Sequence, residues 1–175
     1  MNDIIERAKK IKLVVFDVDG VLTDGRLYYN DSGEEQKAFY AKDGLGIKLL
    51  LLSGVQIGVI TARTSNLVKQ RMDSLNITHL YQGRLDKLNA FNDLIKKLKL
   101  NYDETAFVGD DVVDLPVMRK VGLSITVEDA HPMVIEQAHW QTPLPGGKGA
   151  ARNVCDFIMQ AQGTLEEQLK IFDNE

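Results

Sequence analysis

Cysteine is almost absent. Cys155 stands alone among 175 residues, so no intrachain disulfide can form and no thiolate metal cluster can assemble. The lone thiol is expected as a small buried hydrophobe. Histidine is scarce too, and His79, His131 and His139 are too scattered to suggest a metal site or a catalytic dyad. Long hydrophobic runs are missing. The richest stretch, "GIKLLLLSGVQIGVI", is broken by Ser53-Gly54 and Gln56, and no signal-peptide core precedes it. Basic residues never gather into a stripe. The densest group, "RAKKIK", runs straight into an apolar strand, and the formal net charge is −4. These gaps argue against nucleic-acid and membrane partners and for a soluble, cytoplasmic protein.

What is present suits one packed domain, since 44% of the chain is hydrophobic. Apolar runs at 12–17, 56–61, 79–82, 105–110 and 123–127 read as strands. Several are apolar on consecutive residues, as strands covered on both faces are. Helical patterns alternate with them; "DKLNAFNDLIKKLKL" repeats Leu88, Phe91, Leu94, Ile95 and Leu98 at helical spacing. The order predicts an α/β fold: a doubly wound, mostly parallel, Rossmann-like sheet with helices on both faces. Residues 25–40 interrupt the pattern. Two short arms flank Asn30-Asp31-Ser32-Gly33, a strong turn signal, and predict an inserted β-hairpin. No other insertion is long enough for a cap domain. The expected organisation is a single domain over 1–162 and a mobile tail over 163–175.

The most telling stretch is "VVFDVDGVLTDG", residues 14–25. An apolar strand ends in two carboxylates, Asp17 and Asp19, one residue apart. Such a pair repels itself unless something positive lies between. In a parallel α/β sheet, ligands gather at the carboxyl ends of strands, and Thr61, Lys87 and the pair Asp110/Asp111 fall at or just past other such ends. Phosphoryl transfer through an aspartyl-phosphate requires this set. One carboxylate attacks phosphorus. A second acid protonates the leaving alkoxide and later deprotonates water. A hydroxyl and an ammonium hold the equatorial phosphoryl oxygens. A hard divalent cation, with Mg²⁺ favoured, screens the negative charge through oxygen ligands.

The sequence resembles the haloacid dehalogenase superfamily of phosphatases. "DVDGVLTDG" resembles its first motif, "VITAR" the second, Lys87 the third and "GDDVVD" the fourth, in order over residues 14–114. The resemblance implies that Asp17 is the nucleophile and Asp19 the general acid/base. It implies Mg²⁺ on the Asp17 side chain, the Asp19 backbone carbonyl and Asp110, with Asp111 and Asp114 supporting. "DGLGIK", "VGLSITVEDA" and "GGKGAARNV" extend the likeness to the superfamily's octulosonate 8-phosphate phosphatases, capless tetramers of lipopolysaccharide sugar synthesis. That likeness implies a homotetramer in which one subunit's hairpin plugs the site region of another. It implies a sugar acid phosphate as substrate, bound by Asp19, Tyr40, Ala41, Lys42, Asp43, Gly44, Lys48, Thr61, Arg63, Arg71, Lys87 and Arg152. The chain departs from the usual pattern at Ala62, Lys48 and Asn153.

Other readings stay open on sequence grounds. A nine-carbon sialic-type sugar phosphate also carries a carboxylate, so the same basic residues would serve it. A phospho-receiver domain uses a similar set, but its phosphorylated Asp lies on a later strand. A non-catalytic oligomerisation module would not need Asp17, Asp19, Thr61, Lys87 and Asp110 all intact. Arg63 and Arg71, eight residues apart, are spaced to share one helix face.

Overall fold

Strands that are apolar on every residue need cover on both faces, and the fold supplies it. The structure, a computed structural model, describes residues 2–172. β1 (Leu13–Phe16) is buried throughout. Its alternating side chains feed two cores: Val14 and Phe16 join one, Leu13 and Val15 the other. The first core packs against α1 (Asn2–Ala8), α2 (Ala41–Leu52), α3 (Asn66–Ser74) and α7 (Ala150–Gln162) through Ala8, Ile47, Leu50, Val68, Met72, Val154 and Ile158. The second packs against α4 (Lys87–Leu98), α5 (Leu115–Met118) and α6 (Pro132–Gln137) through Phe91, Leu94, Leu115, Met118 and Val134. Phe16, Phe91 and Phe107 are fully buried; each such side chain contributes about 1.5–3 kcal/mol of transfer free energy.

The other strands are β4 (Gln56–Ile60), β5 (His79–Tyr81), β6 (Thr105–Gly109), β7 (Leu123–Thr126) and β8 (Trp140–Gln141), beside a separate hairpin of β2 (Tyr28–Tyr29) and β3 (Glu35–Gln36). Among the described residues the main sheet has six strands in the order β5-β4-β1-β6-β7-β8, and every pairing in it is parallel. The doubly wound sheet expected from the sequence is therefore present. Chain order reverses between β1 and β6, which makes the crevice beyond their carboxyl ends the switch point where ligands bind. Register aligns the chemistry there. Phe16 lies opposite both Val59 and Val108, so Asp17 leaves the sheet one residue before Thr61 and Asp110 do on either side.

Local signals fix the helix ends near the site. Asp86 caps α4, accepting a hydrogen bond from the Asn89 amide at 3.2 Å. Lys99 closes the same helix in the left-handed region at φ 56°. The "PGGKG" turn leads into α7 as its composition suggests. Three elements were not legible in sequence: α1, β8 and α6 were not anticipated. Trp140 of β8 packs on Phe157 of α7, ring centroids 4.4 Å apart. The expected tail is helical at α8 (Leu165–Leu169), with Gln168 buried; residues 173–175 lie outside the described part. No helix among the described residues is long and apolar enough to cross a membrane.

Candidate active site

A cavity of about 240 Å³ opens at the switch point, lined by Asp17, Asp19, Thr61, Arg63, Lys87 and Asp110, with Gly25, Ala62, Asp111 and Val113 completing the wall. All five residues read as carrying the chemistry converge there. Asp17 Oδ1 accepts from the Val18 amide at 2.7 Å, and the Asp17 amide donates to the Val108 carbonyl at 3.0 Å, which stitches the loop across the switch point. Thr61 is buried; its hydroxyl oxygen accepts from the Arg63 amide at 3.3 Å.

Lys87 lies where the sequence places it, just past a short strand. It begins α4 a few residues past β5, and its ammonium is buried in a fork between two carboxylates. Nζ lies 2.7 Å from Asp17 Oδ2 and 2.6 Å from Asp114 Oδ1. Asp114 is fully buried, and its other oxygen accepts from the amides of Asp110 and Asp111 at 3.0 and 3.3 Å. It therefore ties the loop after β6 to Lys87. Burial alone would pull the Lys87 ammonium down, but the two carboxylates outweigh it and hold its pKa above the ordinary lysine value.

Three carboxylates around one lysine leave negative charge in excess. One oxygen each from Asp17, Asp110 and Asp114 lies within 4.8 Å of the others. Burial, with the Asp114 carboxylate alongside, pushes Asp17 up to about 7. Burial, with Asp17 and Asp114 adding to it, pushes Asp110 up to about 8. Asp110 Oδ1 is buried and finds no hydrogen-bond partner. Such an orphaned oxygen fits a hard cation, which would satisfy it and offset the repulsion. Gly20, at φ 88°, keeps room for this arrangement, because a side chain there would fall on the Asp110 carboxylate.

Both carboxylates have folded-state values above the ordinary 3.8. Without a cation their contribution favours folding below about pH 4 and is lost as pH rises through their raised values. A cation binds the deprotonated pair, so the gain in Tm from added Mg²⁺ should grow from about pH 5 to about pH 9. Thermal scans with Mg²⁺ and with chelator across that range check this. A gain that does not vary with pH would mean that the cation binds elsewhere.

Of the remaining predicted site residues, Asp43, Gly44, Arg71 and Arg152 meet away from the cavity. Asp43, in the first turn of α2, is buried; its Oδ1 accepts from the Arg152 amide at 2.8 Å and so caps the start of α7. Its Oδ2 is buried without a partner, and burial raises the carboxyl pKa despite the amides of Arg152 and Gly149. Arg71 lies against Gly44 and 5.8 Å from the centre of the Phe39 ring. Arg152 binds Asp156 at 2.8 Å. Tyr40, Ala41, Lys42 and Lys48 belong to the cap and body of α2. None of these residues lines the Asp17 cavity of the same chain. Nor do Arg63 and Arg71 share a helix face, because α3 starts only at Asn66.

The hairpin holds residues that sequence reasoning missed. Lys37 pairs with Asp19, and its Nζ lies 3.4 Å from Glu35. Glu35 in turn meets Arg63 at 2.7 Å, and the Tyr29 hydroxyl lies 3.3 Å from the same guanidinium. Leu27, Tyr28, Tyr29 and Tyr40 are exposed, whereas Phe39 packs against the core.

Asp17 at the end of the first strand, with Asp110 and Asp114 across the switch point of a doubly wound sheet, makes an acidic group of the kind that can hold a metal ion. The chain belongs to the haloacid dehalogenase-like hydrolases, whose family pattern matches residues 62–152. It is 50% identical over 165 residues to the 3-deoxy-D-manno-octulosonate 8-phosphate phosphatase of Escherichia coli K12, covering 94% of this chain and 88% of that one. The crystal structure of the Yersinia pestis phosphatase of that name superposes with a TM-score of 0.93 at 47% identity, covering 94% of this chain and 89% of that one. The Moraxella catarrhalis phosphatase, solved with magnesium, phosphate and the octulosonate sugar acid, superposes with a TM-score of 0.96 at 41% identity, covering 98% and 99%.

Proposed function

We propose that the protein is a Mg²⁺-dependent phosphatase that hydrolyses 3-deoxy-D-manno-octulosonate 8-phosphate to the free sugar acid and phosphate, in lipopolysaccharide sugar synthesis. The observation that carries the reading is the fork of Lys87 between Asp17 and Asp114 in the cavity that also holds Asp19, Thr61 and Asp110. The likeness to phosphatases of that name supports the substrate. Mg²⁺ would be held by Asp17, Asp110 and the Asp19 carbonyl, and when bound it supplies positive charge for the phosphoryl oxygens. Asp17 attacks phosphorus and becomes the aspartyl-phosphate. Asp19 gives its proton to the departing sugar oxygen, then takes one from water as the acyl-phosphate is cleaved. Lys87 and the Thr61 hydroxyl donate to the phosphoryl oxygens. Ranking kcat/KM for the octulosonate 8-phosphate against a nine-carbon sialic-type 9-phosphate tests the assignment. A higher value for the nine-carbon sugar would overturn it.

The substrate's far end carries a carboxylate, and Arg63 is the cavity's forked cation. A charge-assisted bidentate contact contributes roughly 1.5–3 kcal/mol. Arg63→Ala should therefore lower kcat/KM for the sugar acid phosphate about ten- to a hundredfold. The same change should barely touch 4-nitrophenyl phosphate. Equal losses on both would place Arg63 at the phosphate or in the fold.

The assembly we propose is a homotetramer in the cytoplasm, with the hairpin docked on a neighbour. Exposure of Leu27, Tyr28 and Tyr29 on the hairpin supports it. So does the position of Tyr40, Lys48, Arg71 and Arg152 outside their own chain's cavity, where a neighbouring subunit's site would have to meet them. Light scattering at micromolar concentration should give a tetramer; a monomer would contradict the shared site.

A further inference from the structure

The arm that leaves the hairpin, "EEQKAFY" (34–40), is extended, and its side chains alternate. Glu35, Lys37 and Phe39 turn toward the body of the protein, while Gln36, Ala38 and Tyr40 stay exposed. Each inward residue has a partner: Glu35 meets Arg63, Lys37 meets Asp19, and Phe39 packs on the core. Lys37 is the least expected of the three. Its side chain is only 2% exposed, and its ammonium lies between the carboxylates of Asp19 and Glu35. A charge-assisted contact of this kind fixes the geometry of the carboxylates it meets. Asp19 has one χ1 and one χ2 to settle, and among the described residues no other cation forms an ion pair with it.

We infer that Lys37 is a positioning residue for Asp19, aiming that carboxyl group at the leaving oxygen and making catalysis depend on the hairpin being seated. The inference rests on the phosphatase reading above. Lys37 takes no proton itself. Its ammonium donates to Asp19 Oδ1 and leaves Oδ2 to carry the acid's proton; as the sugar oxygen–phosphorus bond breaks and the Asp17 oxygen–phosphorus bond forms, that proton passes to the departing alkoxide. A misaimed Asp19 delivers it less well. Phe39, anchored in the core two residues on, and Glu35, anchored on Arg63 two residues before, hold Lys37 from both sides.

Leaving-group dependence separates positioning from mere structure. A departing group that needs no proton does not need Asp19 as an acid. The value of kcat/KM reports transfer to Asp17, so later dephosphorylation does not blur it. In Lys37→Met, kcat/KM for the sugar acid phosphate should fall about ten- to a hundredfold, less than the roughly 10²–10⁴-fold that a general acid contributes, because Asp19 is misaimed and not removed. Across a series of aryl phosphates the loss should shrink as the leaving group improves, and 4-nitrophenyl phosphate should stay close to wild type. Lys37→Arg should recover most of the loss. Lys37→Gln, which keeps a donor and nearly the same length, serves as a second neutral variant and should follow Lys37→Met. Wild-type values in both neutral variants, or losses of equal size across the series, would overturn the inference. Failure of the wild-type protein to hydrolyse any of these esters would instead overturn the phosphatase reading.

Discussion

Asp17→Asn should abolish phosphoenzyme formation and lower kcat by at least about 10⁴-fold, as removal of a covalent nucleophile does. The amide keeps the shape of the carboxylate and can still accept the Val18 amide hydrogen bond, but it cannot attack phosphorus. Folding should survive. Asp17 sits among Asp110 and Asp114, and burial beside Asp114 raises its pKa to about 7. Making it neutral removes that repulsion, so the Tm in chelator at about pH 8 should be equal to or above the wild-type value. Steady-state phosphate release and a thermal scan read both effects. Near-wild-type turnover, or a collapsed Tm alongside lost activity, would count against the assigned role.

Removal of the cation in the fork should have the opposite stability signature. Lys87→Met leaves Asp17 and Asp114 facing each other in a buried site, with Asp110 close by. Breaking a buried ion pair on one side costs about 3–5 kcal/mol. In a domain of this size that corresponds to a Tm drop of roughly 6–20 °C. The drop should be largest in chelator at about pH 8, where the carboxylates are most nearly ionised, and smaller with Mg²⁺. Activity should fall about 10²–10³-fold even with saturating Mg²⁺, because a preorganised donor to the phosphoryl group is gone. A variant with wild-type Tm and wild-type kcat would show that the fork is incidental. The two substitutions therefore divide the site: one residue is there for chemistry, the other for chemistry and for holding the acids together.

Much of this arrangement was legible in the sequence, because local pattern and covalent spacing suffice for it. Buried parallel strands announce themselves as apolar runs, so β1, β4 and β6 could be placed, and with them Asp17, Thr61 and Asp110 at their ends. The Asn30–Gly33 turn marked the hairpin for the same local reason. Contacts between distant segments were not legible. The fork at Lys87 joins α4 to Asp114, 27 residues on, and no spacing rule links them. Lys37 reaches Asp19 across the hairpin; period-two alternation in "EEQKAFY" could have shown that it points inward, but not what it meets. β8 is two residues long, too short for any periodicity to declare it. The residues from Tyr40 to Lys48, with Arg71 and Arg152, came from family likeness alone. Within one chain Asp43, Gly44, Arg71 and Arg152 meet at the junction of α2, α3 and α7, and none of the set lines the cavity.

The most direct test of the account is to trap the covalent intermediate. Wild-type protein with Mg²⁺ would be mixed with 3-deoxy-D-manno-octulosonate 8-phosphate, quenched in acid within a turnover, digested and mapped by mass spectrometry. The account predicts one phosphoryl group, on the peptide carrying Asp17 and on that residue, absent from the chelator-treated sample. Phosphate release with the phosphoryl group on another residue, or with none trapped at any quench time, would contradict it.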